Sequence, residues 1–317
     1  IIVNEFRKIQ SHLIFYSEDK VKERNFDRIS NYSFWYNEDN LLKLSYLQQL
    51  INEKVKNKDF FNLVLSEVVR EVSFTRNGEF KRYKISAKSL EKFDPDTFRI
   101  FETKTLRNLK GLKAYNQKDK GAAVTICNFN TTNSVPRDIL PWSSVDMVIT
   151  SPPYGDSHTT VAYGQFSRWA NEWFGYADAK DLDKKLMGGS KASKEEFTTE
   201  SIRDVLNKIQ DIDQKRYLEV VSFLNDYWKS IRNVADTIRI GGVACYVVGN
   251  RTVKGIQIPL DYFTAEMFEK CGFRHRITIV REIPNKRMPT KTSPTNKVGQ
   301  KVSTMSNEYI VIMDKVK

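Results

Sequence analysis

The sequence predicts an α/β protein in which a parallel sheet carries helices on both faces and follows a helical subdomain. Two observations carry this prediction. Residues 1–115 repeat apolar side chains at helical spacing and contain almost no glycine, the first in the chain being Gly78. From about residue 121 onward, short apolar runs alternate with helical segments, which is typical of strands joined by crossover helices.

Within residues 1–115, the spacing of apolar residues predicts three clear helices. They are expected over 39–55, 59–72 and about 95–116. The segment SFTRNGEFKRYKI (73–85) is polar, basic and aromatic, and its Asn77-Gly78 pair indicates a turn. We interpret this part as a helical subdomain.

Residues 116–317 are expected to form an α/β domain with five strands. The runs that predict them are 122–129, 145–150, 241–250, 275–283 and 307–315. An amphipathic helix over 263–273, closed by Gly272, precedes the fourth strand. A Lys-rich helical insertion is expected at 177–215.

Composition limits the classes of function. The net charge is +12, from 51 Lys and Arg against 39 Asp and Glu, which suits binding to a polyanion although basic proteins are common. No apolar run reaches the roughly 18 residues that span a bilayer, and the N-terminus shows no signal-peptide pattern. Three widely spaced cysteines predict buried thiols in a reducing compartment, so we expect a cytoplasmic protein without a metal site.

The most informative motif is Ser151-Pro152-Pro153-Tyr154, which directly follows the expected strand 145–150. In open α/β sheets, ligands bind beyond the carboxyl ends of strands. Two adjacent prolines fix the backbone and remove two N–H donors. The resulting turn presents carbonyl oxygens, a serine hydroxyl and an aromatic face.

These groups suit an exocyclic amine of a nucleobase. Such an amine is a weak nucleophile because its lone pair is delocalised into the ring. Hydrogen bonds from both N–H bonds to the Ser151 hydroxyl and the Pro152 carbonyl would pull the nitrogen toward tetrahedral geometry and free the lone pair. Tyr154 would stack on the base, which must leave the duplex to reach such a pocket.

The SPPY tetrapeptide resembles motif IV of the DNA amino-methyltransferases, (D/N/S)PP(Y/F/W). SFTRNGEFKRYKI and TTVAYGQFSRWANEWFG are similar to one branch of bacterial site-specific DNA methyltransferases. The resemblance implies a Rossmann-like sheet and methyl transfer from S-adenosylmethionine to double-stranded DNA, in restriction–modification or host marking. It implies catalytic roles for Ser151, Pro152, Pro153 and Tyr154. The Ser variant is mostly associated with N4 of cytosine. Adenine N6, an RNA substrate and a non-catalytic DNA-binding specificity subunit remain alternatives.

One element of the family is missing. No glycine-rich FxGxG loop for the cofactor is present. The family's strand order is 3-2-1-4-5-7-6, and this chain is expected to supply strands 3 to 7 only, leaving unpaired edges. We therefore expect the loop on a second polypeptide or on a segment N-terminal to Ile1. Of the residues present, Asn128, Ser151 and Pro152 are the candidates for contacting the cofactor.

The helical subdomain and the Lys-rich insertion are the candidate DNA-reading regions, and seven residues are candidate DNA contacts. Most are cations beside aromatic residues or in loops, and one is a histidine close to the motif. They are Arg76, Lys81, Arg82, His158, Arg168, Arg287 and Lys291.

Overall fold

The computed structural model describes residues 1–76, 78, 81–118, 121–156, 162–283, 291–292, 302–303 and 307–317. They form two compact units. The first, here called the helical unit, comprises Ile1–Thr125 and Ala162–Leu182. The second, the sheet unit, comprises Ile126–Val161 and Asp183–Lys317.

The helical unit confirms the three helices expected from apolar spacing, each within three residues at either end. Its helices are α1 (Ile2–Leu13), α2 (Tyr32–Trp35), α3 (Glu38–Lys54), α4 (Lys58–Glu71), α5 (Ala87–Leu90), α6 (Thr97–Lys118) and α7 (Tyr163–Trp173). Asn37 caps α3 by accepting a hydrogen bond from the Asn40 N–H.

The core of the helical unit includes α7, although the sequence predicts that these residues belong to the α/β domain. Trp169 and Trp173 are fully buried in the core cluster that also contains side chains of α3 and α4. The Trp169 indole N–H donates to Thr75 Oγ1 at 2.9 Å. The boundary expected at residue 115 therefore differs from the structure, because α7 returns to the helical unit to bury its two tryptophans.

The sheet unit contains the remaining helices and the strands. The helices are α8 (Leu182–Lys185), which begins at the boundary, α9 (Arg203–Ile212), α10 (Gln214–Ala235) and α11 (Leu260–Glu269). The strands are β1 (Val145–Thr150), β2 (Ile238–Val248), β3 (Thr252–Val253), β4 (Ile256–Gln257), β5 (Phe273–Glu282), β6 (Lys291–Thr292), β7 (Val302–Ser303) and β8 (Asn307–Lys315).

The main sheet has the order β1-β2-β8-β5, which is the 4-5-7-6 part of the order implied by the resemblance. Only β1 and β2 are parallel, whereas β8 is antiparallel to both of its neighbours. The expectation of a parallel sheet was therefore wrong for two of the three pairings. Between β5 and β8 the described residues form only the short strands β6 and β7 and no helix, whereas a parallel pair needs a crossover connection that is usually helical.

The expected strand at 122–129 was also wrong. These residues form no strand, and Val124 and Ile126 are 70% and 94% exposed. A strand needs a partner for its backbone groups, and no described strand lies beside this segment. The chain therefore supplies four of the five expected strands, and β1 has one unpaired edge among the described residues.

Helices cover one face of the sheet. Tyr246 of β2 and Met313 of β8 are buried there against α10 and α11. The opposite face is apolar but open within the described chain, with Ile149 71% and Ile277 48% exposed. The expectations of helices on both faces and of a buried first strand are thus not met by the described residues.

The expected helical insertion at 177–215 is helical in α8, in α9 and in the first two residues of α10. The segment between α8 and α9 contains Gly188 and Gly189, which have poor helix propensity, and it is hydrogen bonded to α10 instead. The Ala192 N–H donates to Ser222 Oγ at 2.7 Å, and the Glu196 N–H donates to Asn225 Oδ1 at 2.8 Å. The insertion is therefore a packed part of the sheet unit.

Glu266 of α11 holds the chain just before α9. Its carboxylate accepts hydrogen bonds from the hydroxyls of Thr199 and Ser201, both at 2.6 Å, and from the backbone N–H groups of Glu200 and Ser201. Burial alone would raise the pKa of Glu266, but these hydrogen bonds lower it to about 2.

Replacing this carboxylate should make stability less dependent on pH. Because the folded pKa lies below the ordinary value of 4.5, the stabilisation is complete above pH 4.5 and is lost as the pH falls toward 2. We expect Glu266→Gln to lower the free energy of unfolding by about 1–2 kcal/mol at pH 7 and progressively less below pH 4.5. Urea denaturation of both proteins from pH 7 downward measures this difference. If Glu266→Gln lowered the free energy of unfolding by the same amount at every pH, the lowered pKa of Glu266 would not be the source of the stabilisation.

Among the described helices, none has the length and apolar character required to cross a bilayer. The three cysteines are unpaired and only partly buried. Burial raises the pKa of the Cys271 thiol to about 11, so this thiol stays protonated near neutral pH.

Candidate active site

The SPPY turn begins at the carboxyl end of β1. Thr150, the last residue of β1, pairs with Tyr246 of the parallel strand β2, so both strands end at the same edge of the sheet. Ser151 is exposed at this edge, and Tyr154 is half-buried. The predicted position of the motif is confirmed: the turn lies where open α/β sheets bind ligands.

The side chains of Ser151 and Tyr154 are connected to the far end of the chain. Ser151 Oγ and Tyr154 Oη lie 3.1 Å apart, and Tyr154 Oη donates to Glu308 Oε1 at 2.9 Å. Arg281 donates to the other oxygen of Glu308, with Nε at 3.0 Å. The four residues form a continuous hydrogen-bonded chain across the edge of the sheet.

The ionisation states of Tyr154 and Glu308 depend on burial and on the groups hydrogen bonded to them. Burial raises the pKa of Tyr154, and the nearby Glu308 carboxylate raises it further, so the phenol keeps its proton. Burial would also raise the pKa of Glu308, but hydrogen bonds from Arg281 and Tyr154 outweigh it and hold that pKa below its usual range. Glu308 is therefore an ionised acceptor at neutral pH.

A buried ion pair holds the other end of the turn. Asp156 and Arg251, with side chains 2% and 14% exposed, pair at 2.7 Å. Arg251 lies in the loop that follows β2, so the pair joins the chain segments leaving two neighbouring strands. Gly188 lies directly against Asp156, where a Cβ would come within 2.8 Å of the Asp156 Cβ.

The wall beside Tyr154 is apolar and closely packed. Tyr154 borders a small cavity with Val220, Phe223 and Leu260. Its volume of about 10 Å³ is close to the least that holds a single water molecule. The sheet unit thus holds the turn at two points: β8 binds the tyrosine hydroxyl, and the loop after β2 binds Asp156. Residues of α10 line the cavity beside Tyr154.

Two expected DNA contacts have packing roles in the helical unit. Arg82 lies with its guanidinium 4.7 Å from the ring centre of Trp169. Arg168 pairs with Glu172 at 2.7 Å, and the Glu172 side chain is only 2% exposed. The structure therefore favours structural roles for both arginines over a mobile surface charge.

Some of the other expected site residues are exposed, and others lie outside the described part of the chain. Arg76 and Lys81 are exposed, and so is Asn128 on the segment that forms no strand. Lys291 lies in the short strand β6, and its side chain lies outside the described part of the chain. His158 and Arg287 also lie outside the described residues.

The sequence did not predict that Glu308, Arg281 and Arg251 belong to this site. The Arg281–Glu308 pair could be found from the register of the two strands, which places Arg281 directly opposite Glu308. That register can be used only once β5 and β8 are known to be antiparallel neighbours. In the described part of the chain, no cluster of three or more His, Cys, Asp or Glu residues is placed to hold a metal ion.

The similarity to known proteins is strongest in sequence. No model of a known protein family matches the chain. The type II methyltransferase M.MvaI of Kocuria varians is 36% identical over 323 aligned positions, which cover 96% of this chain and 71% of that protein.

Similarity to solved structures is weaker. A provisionally named DNA modification methylase of Thermus thermophilus aligns at 20% identity with a TM-score of 0.27. Its complex with S-adenosyl-L-methionine aligns at 21% identity with the same TM-score. Each alignment covers 57% of this chain, and the chain spans only about half the length of these structures. The identity and coverage shared with M.MvaI establish the relationship: this chain belongs to the family of type II methyltransferases.

Proposed function

We propose that the chain is the catalytic part of a DNA methyltransferase that moves a methyl group from S-adenosylmethionine to N4 of a flipped cytosine, in restriction–modification or host marking. The observation that carries this proposal is the exposed Ser151 hydroxyl at the carboxyl edge of the sheet, on a turn held by the Tyr154–Glu308 hydrogen bond and the Asp156–Arg251 ion pair. Membership of the methyltransferase family supports it.

The residues of the turn prepare the amine for reaction. The Ser151 hydroxyl and the Pro152 carbonyl accept hydrogen bonds from its two N–H bonds, which localises the nitrogen lone pair. The face of Tyr154 stacks on the base and limits its rotation. Bound S-adenosylmethionine supplies a sulfonium that makes the methyl carbon electrophilic. Catalysis then rests on alignment of the nitrogen with that carbon and on electrostatic tuning of the amine.

The choice of N4 of cytosine rests on the serine at the first position of the motif. Motif variants with Asp or Asn are associated more with N6 of adenine. Both amines need the same two acceptors, so the chemistry derived above holds for either base. Identification of the methylated nucleoside decides between them.

Of the described residues, those of the SPPY turn fit the end of the cofactor that carries the methyl group. Ser151 and Pro152 line the edge where that group would lie, and Asn128 is an exposed candidate for a further contact. The sequence contains no Gly-x-Gly in its 14 glycines, so the close backbone approach that the adenosine end needs is not supplied.

We propose that a segment outside these 317 residues, on the same or a second polypeptide, supplies the glycine-rich loop. The open features of the sheet unit support this. Strand β1 has an unpaired edge among the described residues, and apolar side chains such as Met147 and Ile149 are more than half exposed. Strands that add to this edge would pair its backbone groups, and helices that follow them would cover those side chains.

Double-stranded DNA is the proposed partner. The net charge of +12 favours a polyanion, and the exposed Arg76 and Lys81 are proposed to contact its phosphates. His158, Arg287 and Lys291 are proposed as further contacts. Arg82 and Arg168 are proposed to act indirectly, since they hold the helical unit together.

Nucleoside mass spectrometry tests the proposal. Unmethylated DNA is incubated with S-adenosylmethionine and the chain, with and without the adjoining segment or partner, and then digested. We expect N4-methylcytosine when both parts are present. N6-methyladenine would correct the base and keep the mechanism.

The variant Tyr154→Ala separates an enzyme from a DNA-binding specificity subunit. The enzyme should lose turnover on this substitution while keeping its affinity for DNA. If the wild-type protein binds DNA but yields no methylated nucleoside with either preparation, the specificity-subunit alternative replaces the proposal.

A further inference from the structure

We infer that Glu308 is a positioning residue that fixes the direction of the hydrogen bonds running through Tyr154 to Ser151, so that Ser151 faces the substrate as an acceptor only. The inference rests on the proposed function, since it concerns how the same site holds the amine. It adds a residue at the far end of the chain to the machinery of the turn.

Glu308 determines which atom donates in the first of these hydrogen bonds. An ionised carboxylate has acceptor sites only, so the short contact to Oε1 requires that Tyr154 donates its single hydroxyl hydrogen there. The phenol oxygen is then left with lone pairs. Any further partner of Tyr154 Oη must therefore be a donor.

That partner is Ser151. Its hydroxyl lies 3.1 Å from Tyr154 Oη, and with the tyrosine hydrogen already committed to Glu308, Ser151 must be the donor. Serine has one hydroxyl hydrogen and two acceptor lone pairs. With that hydrogen turned toward Tyr154, the exposed side of Ser151 Oγ presents only lone pairs, which is what an amine N–H requires.

Arg281 keeps Glu308 in place and ionised. It contacts Oε2 while Tyr154 contacts Oε1, so the two carboxylate oxygens have separate partners. The cross-strand register of β5 and β8 places Arg281 opposite Glu308, and the Glu308 side chain is only 14% exposed. A rigid antiparallel pair thus carries the residue that orients the turn.

The same reasoning predicts what a neutral isostere does. In Glu308→Gln, Arg281 still needs an acceptor, so the amide oxygen faces Arg281 and the amide N–H₂ faces Tyr154. Tyr154 Oη then accepts, and its hydrogen turns toward Ser151. One lone pair of Ser151 is thereby used, and its own hydrogen is released toward the substrate, where it opposes the amine N–H.

The test is a double-mutant cycle with Glu308→Gln and Tyr154→Phe, scored by methylated nucleoside formed on DNA in the active preparation. Each single change is expected to lower kcat about tenfold with KM for DNA unchanged. In the Tyr154→Phe background, Glu308→Gln should cost nothing further, because the connection to Ser151 is already broken. Glu308→Asp, which keeps an ionised acceptor, should recover part of the activity.

A matched control is Asp314→Asn, which removes the carboxylate of the Arg276–Asp314 pair on the same two strands. It should leave kcat unchanged. Losses from Glu308→Gln and Tyr154→Phe that multiply, or a Glu308→Gln enzyme with wild-type kcat, overturn the inference while leaving the proposed function intact. Absence of product from the wild-type protein overturns the proposed function and this inference with it.

Discussion

Replacing Ser151 with alanine is expected to lower kcat for methyl transfer by about 10²- to 10³-fold, the usual effect of removing one preorganised hydrogen-bonding group from an active site. The change leaves the Pro152 carbonyl as the only acceptor for the amine. The fold of the turn should persist, since Asp156–Arg251 and Tyr154–Glu308 hold it independently of the Ser151 hydroxyl. Single-turnover methylation of DNA measures the change, and gel-shift titration should show unchanged DNA affinity.

The matched control is Ser144→Ala, just before the other end of β1. The Ser144 hydroxyl donates to the Pro141 carbonyl at 2.7 Å, so this variant also loses one hydrogen bond, but away from the carboxyl edge. It should methylate DNA at the wild-type rate. If the two variants have equal activity, the amine is held by groups other than Ser151.

The location of the site could be predicted because its signals are local. The run 145–150 is β1 to the residue, and the motif that follows it is contiguous in sequence. Helices α3, α4 and α6 follow from apolar spacing within single segments, and each packs its apolar face as that spacing requires. In these cases the periodicity of one segment already determines which face is buried.

What escaped prediction depends on residues far apart in the chain. Tyr154 and Glu308 are separated by 154 positions, and their contact exists only because β8 lies between β2 and β5. The segment 122–129 has the composition of a strand, but composition does not supply a neighbour to pair with. The sequence around Arg82 is basic and aromatic and therefore predicts a DNA contact, whereas the structure shows the Arg82 guanidinium packed on the ring of Trp169.

The second large expected effect is a loss of stability on replacing Trp169. Replacing it with alanine is expected to destabilise the helical unit by about 3–5 kcal/mol, the usual range for truncating a buried aromatic residue. Trp169 is fully buried, its indole N–H donates to Thr75, and its ring contacts Trp35 with centroids 5.0 Å apart. The substitution removes all of these contacts and also the surface on which Arg82 rests.

Hydrogen exchange measured by mass spectrometry localises this effect. Peptides from α3 and α4, which share a core with Trp169, should exchange faster in Trp169→Ala, whereas peptides from α10 and α11 should not, because they belong to a separate core. Trp142→Ala is the control, since Trp142 is 62% exposed and should leave both regions unchanged. Faster exchange confined to α10 and α11 would place α7 with the sheet unit, as the sequence alone suggested, and would remove the reason for assigning Arg168 and Arg82 to the helical core.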